Sequence, residues 1–174
     1  MNNKISQNNV SFDYLRNSPD FLNLILNNIS SCILVLDRNM ELQAFNDAMT
    51  SIFSGKKDEN LLYLRCGEAI GCAYNVDEMK QCGETSHCDY CSLRESALLS
   101  YYEKKAIYKQ KLSREFYMND GKKVMKHLQF STRSFVFEKD TYIIMIIDDI
   151  TELVNTKLEL QEKEKRIQEL ESNK

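Results

Sequence analysis

Hydrophobic and polar positions alternate along the last third of the chain as they do in β-strands. The hairpin signal Asp120-Gly121 separates two segments, KLSREFY and KKVMKHLQFSTRSFVF. Within the second segment one side carries Val124, Leu128 and Phe130, and the other carries Met125, His127 and Gln129. A third segment, TYIIMIIDDI, is too apolar to be anything but a central strand. This region therefore predicts three consecutive strands.

The first half of the chain predicts a helix, a pair of strands and a second short helix. Ser18 can cap the first helix, Pro19 suits its first position, and Asp20 interacts favourably with its dipole. The apolar side of this helix consists of Phe21, Leu22, Leu24, Ile25 and Ile29. The segments SCILVLDRN and LQAFN form a strand–turn–strand pattern. Asn46 and Asp47 can then cap a helix that carries Ala48, Met49, Ile52 and Phe53.

The middle and the end of the chain differ in periodicity. Residues 61–91 show no clean repeat, whereas residues 92–104 return to helical composition. From Thr151 onward helix formers dominate, with a seven-residue repeat of Leu153, Leu160 and Ile167. The positions between them are polar, so this tail predicts a short coiled coil that is weak by itself.

Composition and charge limit the kinds of function to be expected of this chain. The chain has 174 residues, 43% of them hydrophobic, which is enough for one domain with an appendage. Its net charge of -3 gives no reason to expect binding to nucleic acid or to an anionic membrane. The sequence shows neither a signal peptide nor an apolar run of about 20 residues, so we expect a cytoplasmic protein without a membrane segment. Thiols stay reduced there, which favours metal or redox chemistry over disulfides for the six cysteines.

Four cysteines follow the spacing C-x9-C-x5-C-x2-C, which can wrap around a metal: Cys72, Cys82, Cys88 and Cys91. Thiolates suit soft centres such as tetrahedral zinc or the irons of an iron–sulfur cluster. Structural zinc sites usually pair two short Cys-x2-Cys knuckles, and only one is present here, so the spacing leans toward a cluster. Gly71 and Gly83 permit the backbone angles that such a loop requires. Zinc, redox thiols without metal and purely structural cysteines remain alternatives.

Cys66 and His87 are additional candidate ligands beside these four. His87 can ligate a metal or donate a hydrogen bond to a cluster sulfur, although a lone loop histidine is more often simply exposed to solvent. Cys32, by contrast, belongs to an apolar run and is expected in the core. Residues 66–91 hold five acidic residues against the single Lys80, so we expect little positive charge near the thiolates. That argues against a simple reactive cysteine with a low pKa.

The order of the elements resembles the PAS sensor fold over roughly residues 20–155. The matching segments are Asn46 at the start of NDAMTSIFSG, the hairpin around Asp120-Gly121-Lys122, and the exit Asp149-Ile150-Thr151-Glu152. In PAS proteins such an Asp-Ile-Thr sequence ends the last strand and leads into a signalling helix. The resemblance implies an α+β fold: a five-stranded antiparallel sheet with short helices on one face, an N-terminal capping helix and a C-terminal signalling helix. It also implies three regions, a flexible arm at 1–17, a sensory domain at 18–152 with a cysteine segment at 66–91, and a helical or coiled-coil tail at 153–174.

The segment RCGEAIGCAYNVDEMKQCGETSHCDYCSLRESA further resembles a bacterial PAS subgroup with a cysteine-rich insert. In that subgroup a Gly-Cys, a Cys-Gly and a Cys-x2-Cys occur in this order in place of the usual ligand-pocket helices. The match falls on Cys72, Cys82, Cys88 and Cys91, whereas Cys66 departs from it. Cys66 is therefore either a fifth ligand or a spare thiol.

The resemblance implies a sensory module rather than an enzyme. The sequence shows no phosphate-binding glycine loop, metalloprotease helix, kinase signature or catalytic triad. We expect a metal centre, in the first place an iron–sulfur cluster that senses oxygen or redox state and signals through the C-terminal helix. The alternatives are a structural zinc module for dimerisation or docking, and a thiol-based redox sensor or oxidoreductase without metal. The expected partners are a second copy of the chain, paired through the tail, and a downstream signalling protein or a fused output domain.

Overall fold

The computed structural model describes residues 18–53 and 61–172. The arm predicted at residues 1–17 and the last two residues of the tail lie outside the described residues. Five strands form one antiparallel sheet in the order β2-β1-β5-β4-β3, and their bounds are β1 (Cys32–Leu36), β2 (Leu42–Phe45), β3 (Ile107–Tyr117), β4 (Lys123–Phe137) and β5 (Asp140–Asp149). The helices of the described residues are α1 (Pro19–Asn28), α2 (Ala48–Phe53), α3 (Cys66–Ala69), α4 (Ala73–Glu78), α5 (Ser92–Tyr102) and α6 (Thr151–Ser172), and a 3-10 turn spans Cys88–Tyr90.

The centre of the sheet is β5, as its apolar sequence predicts. Ile143, Met145 and Ile147 alternate along β5 and are fully buried. Each such side chain contributes about 1.5–3 kcal/mol relative to an exposed one, so the alternation determines which face turns inward. Met49 of α2 and Ala97 of α5 close the core on that face. The expected five-stranded sheet with short helices on one face is therefore confirmed.

The predicted hairpin joins β3 and β4. Leu128 and Phe130 point into the core as predicted, whereas Val124 lies near the hairpin end and is exposed. The strand β3 is longer than the predicted segment, because its pairing with β4 continues back to Ile107 opposite Thr132. This long edge strand forms one wall of the cavity described below.

Two polar side chains organise the N-terminal helix. The Ser18 hydroxyl oxygen accepts the Phe21 N–H over 3.3 Å, which confirms the predicted cap. The Asn46 side chain does not cap α2, since its oxygen accepts the Ile33 N–H over 2.8 Å and its nitrogen donates to the Leu26 carbonyl over 2.8 Å. Asn46 is buried, so these bonds satisfy its amide and hold the end of α1 beside β1.

The exit from β5 into α6 is anchored on β4. Asp149 accepts a hydrogen bond from Lys126 over 2.6 Å and another from the Thr151 N–H over 3.0 Å. The His127 N–H donates to the Thr151 hydroxyl over 2.9 Å, and the His127 carbonyl accepts the Ile150 N–H over 2.8 Å. The described residues of α6 are not buried beyond this anchor. Within residues 18–53 and 61–172, none of the helices combines the length and the hydropathy that crossing a bilayer demands.

Candidate functional site

Five cysteines line one cavity between the buried face of the sheet and the short helices α3 to α5. They are the four predicted ligands Cys72, Cys82, Cys88 and Cys91, together with Cys66. The cavity measures about 30 Å³, which is room for one or two water molecules. Leu36, Phe116 and Met145 form an apolar floor. Cys32 lies outside this lining, in the core, and burial raises its pKa to about 12, as expected of a structural cysteine.

Two glycines shape the chain around the cavity, as the sequence predicts. Gly71 has φ 72 and its carbonyl accepts the Tyr117 N–H over 2.8 Å, which brings the neighbouring Cys72 against the edge of β3. A Cβ at Gly71 would lie 2.7 Å from the Tyr117 carbonyl oxygen, so only glycine permits this approach. Gly83 has φ 104 and lies directly beneath the Arg94 guanidinium. Each glycine therefore lets the cysteine next to it, Cys72 or Cys82, reach the cavity, because a larger residue in place of the glycine would clash with its surroundings.

Cys88 has polar partners of its own. The Gly83 N–H donates to its Sγ over 3.0 Å, and the Thr85 hydroxyl lies 3.0 Å from the same sulfur. Burial alone would raise the pKa of Cys88, but the hydrogen bonds from Thr85 and Gly83 outweigh it and lower the pKa below its ordinary value. Cys82 contrasts with it, because burial raises the Cys82 pKa to about 11.

Arg114 and Arg94 bring positive charge to the sulfurs. The Arg114 Nη1 donates to Sγ of Cys91 over 3.3 Å and to Sγ of Cys72 over 3.7 Å. Arg94 lines the same cavity from α5. The expectation of little positive charge near the thiolates is therefore wrong, because both cations come from outside residues 66–91. The sequence does carry a signal for Arg114: it falls in phase with the inward-facing Leu112 and Phe116 of β3.

Cys66 differs from the other four cysteines of the cavity. It opens α3 and is 4% exposed. Burial raises the pKa of Cys66 well above its ordinary value, and the nearby sulfurs of Cys82 and Cys91 raise it further. These surroundings favour a neutral thiol at Cys66.

His87 lies on the surface beside the cavity and is not part of its described lining. Its ring stacks on Tyr74 with 3.6 Å between ring centres. Its Nδ1 lies 2.8 Å from the Ser86 hydroxyl and 3.8 Å from the Glu78 carboxylate. Hydrogen bonds from the Ser86 side chain and backbone hold the pKa of Glu78 at about 2. His87 thus ties the cysteine loop to α4 from outside.

The sulfurs share a cavity without converging on one point. Among residues 18–53 and 61–172, no group of three or more His, Cys, Asp or Glu side chains is placed to hold a single metal ion. A tetrahedral zinc requires its sulfurs at about 2.3 Å from one centre. A cluster distributes its cysteines over several irons, so its ligands stand farther apart. The residue types are those that bind soft metal centres, but the described residues 18–53 and 61–172 form no preformed site for a single metal ion.

The comparisons with known proteins identify the fold. No family model and no curated protein matches the chain. Among solved structures, the chain is similar to a PAS domain from a two-component sensor histidine kinase, at 10% identity and TM-score 0.50 over 75% of this chain and 94% of that one. It is similar to the PAS domain of nitrogen regulation protein NR(II) from Vibrio parahaemolyticus, at 14% identity and TM-score 0.50 over 74% and 97%.

A third similar structure is an RNA-binding Light-Oxygen-Voltage receptor, at 15% identity and TM-score 0.54 over 87% of this chain and 38% of that chain. At these identities the similarity shows the fold alone. The five-stranded antiparallel sheet with its short helices and the following α6 is the PAS fold.

Proposed function

We propose that this chain is a cytoplasmic PAS sensory module, not an enzyme, whose cysteines hold an iron–sulfur cluster that senses oxygen or redox state. The observation that carries the proposal is the single cavity lined by five cysteines and two arginines. The proposed ligands are Cys72, Cys82, Cys88 and Cys91. A bound cluster supplies reversible one-electron chemistry and sensitivity to oxygen. The chain's own residues supply thiolates, hydrogen bonds to sulfur and an apolar floor that limits the access of water.

The strands β3 and β4 connect the proposed site to the tail. Cys72 forms an isolated β-bridge with Phe116, so a change in the position of Cys72 acts directly on β3. On the same strand, the Ser113 hydroxyl lies 2.6 Å from Nδ1 of His127 on β4. The backbone of His127 in turn holds the first residues of α6. This series of contacts supports a signal that travels from the cysteines through β3 and β4 to α6.

The proposed output is a change in helix pairing. Leu153, Leu160 and Ile167 recur every seven residues along α6 and are each more than half exposed. A second copy of the chain would cover them in a coiled coil, although the polar positions between them keep that coil weak. We propose a homodimer through α6 that acts on a downstream signalling protein or on a fused output domain.

The surroundings of Cys88 favour a second candidate, a thiol-based redox sensor or oxidoreductase without metal. Its lowered pKa and its two hydrogen-bond partners, Gly83 and Thr85, resemble the setting of reactive cysteines. Cys91 lies three residues further along the chain and lines the same cavity, which makes it a candidate to form a disulfide with Cys88. Oxidation would couple the two sulfurs with loss of two electrons and two protons to an external disulfide.

The test is an ultraviolet–visible spectrum with iron, sulfide and zinc analysis on protein purified without oxygen. Brown protein with stoichiometric iron and sulfide supports the cluster, and its bleaching in air supports oxygen sensing. Colourless protein with one zinc per chain supports a structural zinc module instead. Metal-free protein that exchanges with an external disulfide supports the second candidate. Cys88→Ala should abolish iron binding, whereas the matched control Cys32→Ala, which removes a sulfur outside the cavity, should retain it.

A further inference from the structure

Arg114 occupies a position of β3 that the alternation of the strand assigns to an inward-facing side chain. Leu112 and Phe116, its neighbours on that face, line the same cavity. Burying a cation at such a position is costly unless an opposite charge or a hydrogen-bond acceptor meets it. The acceptors are the sulfurs of Cys91 at 3.3 Å and Cys72 at 3.7 Å. These two contacts explain how an arginine can occupy this inward-facing position.

The guanidinium is held in this orientation from α4. Its Cζ lies 5.1 Å from the centre of the Tyr74 ring, which itself stacks on His87. A planar guanidinium stacks on an aromatic ring and reaches two acceptors at fixed angles, whereas a lysine ammonium is a single flexible point charge. The sheet, α4 and the cysteine loop therefore fix Arg114 jointly.

The other two proposed ligands face a different cation. Arg94 lines the cavity beside Cys82 and Cys88, and its charge acts on both sulfurs. The four cysteines thus form two pairs, each with its own arginine. Cys72 and Cys91, the two cysteines that contact Arg114, are the first and the last proposed ligands along the chain. This one side chain therefore contacts both ends of the set of four proposed ligands.

We propose that Arg114 is the positioning residue of the cysteine site, which holds Cys72 and Cys91 as one ligand pair and offsets their negative charge. The inference rests on the proposed cluster. Reduction by one electron from an external reductant adds one negative charge to a site that already carries four thiolates. A fixed cation in contact with two of these sulfurs stabilises the more negative state. Arg114 therefore raises the midpoint potential of the site and slows its loss of iron.

The experiment compares wild type with Arg114→Gln, Arg114→Lys and the control Arg133→Gln, each loaded anaerobically with iron and sulfide. Arg133 is exposed on β4, at a position that alternates with the buried core residues, so its variant removes the same charge away from the cavity. We expect a lower midpoint potential in dithionite titration for Arg114→Gln, and about tenfold faster transfer of iron to a chelator. Arg114→Lys should lie between it and wild type, and Arg133→Gln should match wild type.

Equal potentials and equal release rates for Arg114→Gln and wild type would overturn the inference while leaving the proposed cluster intact. A wild-type protein that takes up neither iron nor sulfide refutes the proposed function itself, and this inference with it. Circular dichroism checks the fold of each variant. If Arg114→Gln does not fold, Arg114→Lys decides the question, because a wild-type potential together with a wild-type release rate in that variant contradicts a role for the two-sulfur contact.

Discussion

Gly67→Ala tests whether the position of Cys82 matters to the site. Gly67 lies in α3, and a Cβ built there would stand 2.7 Å from Sγ of Cys82 and 3.0 Å from its Cβ. Carbon atoms in contact settle at about 3.5–4.0 Å, so the sulfur must move by about 1 Å. Metal–ligand distances tolerate only about 0.2 Å. The variant should therefore displace one ligand while leaving the remainder of the cavity in place.

The fold should tolerate this change better than the site does. Alanine is favoured over glycine inside a helix by up to about 1 kcal/mol, and the atoms that must give way are the Sγ and Cβ of a single side chain, Cys82. Gly121→Ala is the matched control. Gly121 has φ 74 at the hairpin tip with nothing within 4 Å of a Cβ, so alanine there costs about 1–2 kcal/mol of stability without touching the cysteines.

The assay combines iron and sulfide content, the rate of iron transfer to a chelator, and urea unfolding followed by circular dichroism. Gly67→Ala should lose iron about tenfold faster with near-normal stability, and Gly121→Ala should keep its iron with lower stability. Cys82→Ala, alone and combined with Gly67→Ala, completes a double-mutant cycle. Once the sulfur is removed, Gly67→Ala should have no further effect on iron content. Wild-type iron content and release in Gly67→Ala would refute the assignment of Cys82 as a ligand.

Three further outcomes are expected. Cys66→Ala should retain its iron, and loss of a stoichiometric share of iron in that variant would make Cys66 a fifth ligand. By contrast, a single alanine substitution at any of the four proposed ligands should remove the iron: Cys72, Cys82, Cys88 and Cys91. Burial alone would raise the pKa of Asp149, but hydrogen bonds from Lys126 and Thr151 outweigh it and lower that pKa. The resulting stabilisation is present above the unfolded-state pKa and is lost as pH falls through the folded-state pKa, so unfolding measured below about pH 4 should show a loss that Asp149→Asn does not share. Deletion of residues 153–174 should leave metal binding intact and weaken dimerisation in sedimentation analysis, and an unchanged dimer affinity would contradict the role of the tail.

Local patterns predicted most of the fold. The alternation in KKVMKHLQFSTRSFVF and the apolar TYIIMIIDDI correspond to β4 and β5, and Asp120-Gly121 joins β3 to β4 as expected. These signals depend on neighbours a few residues apart, because burial of one strand face and the geometry of a tight turn are decided locally. The spacing of the four cysteines likewise indicated a common site, although spacing alone could not show that Cys66 lines the same cavity.

The electrostatics of the site depend on contacts that no local pattern contains. Arg114 meets Cys72 from 42 residues away along the chain, and it does so only because β3 forms one wall of the cavity. The acidic composition of residues 66–91 predicted the opposite charge environment. Sequence alone therefore predicted the cysteines that share one cavity and the strands that build the scaffold. Only the tertiary structure decided which cations face the sulfurs and left His87 outside the cavity, because electric interactions depend on distance in space and not on separation along the chain.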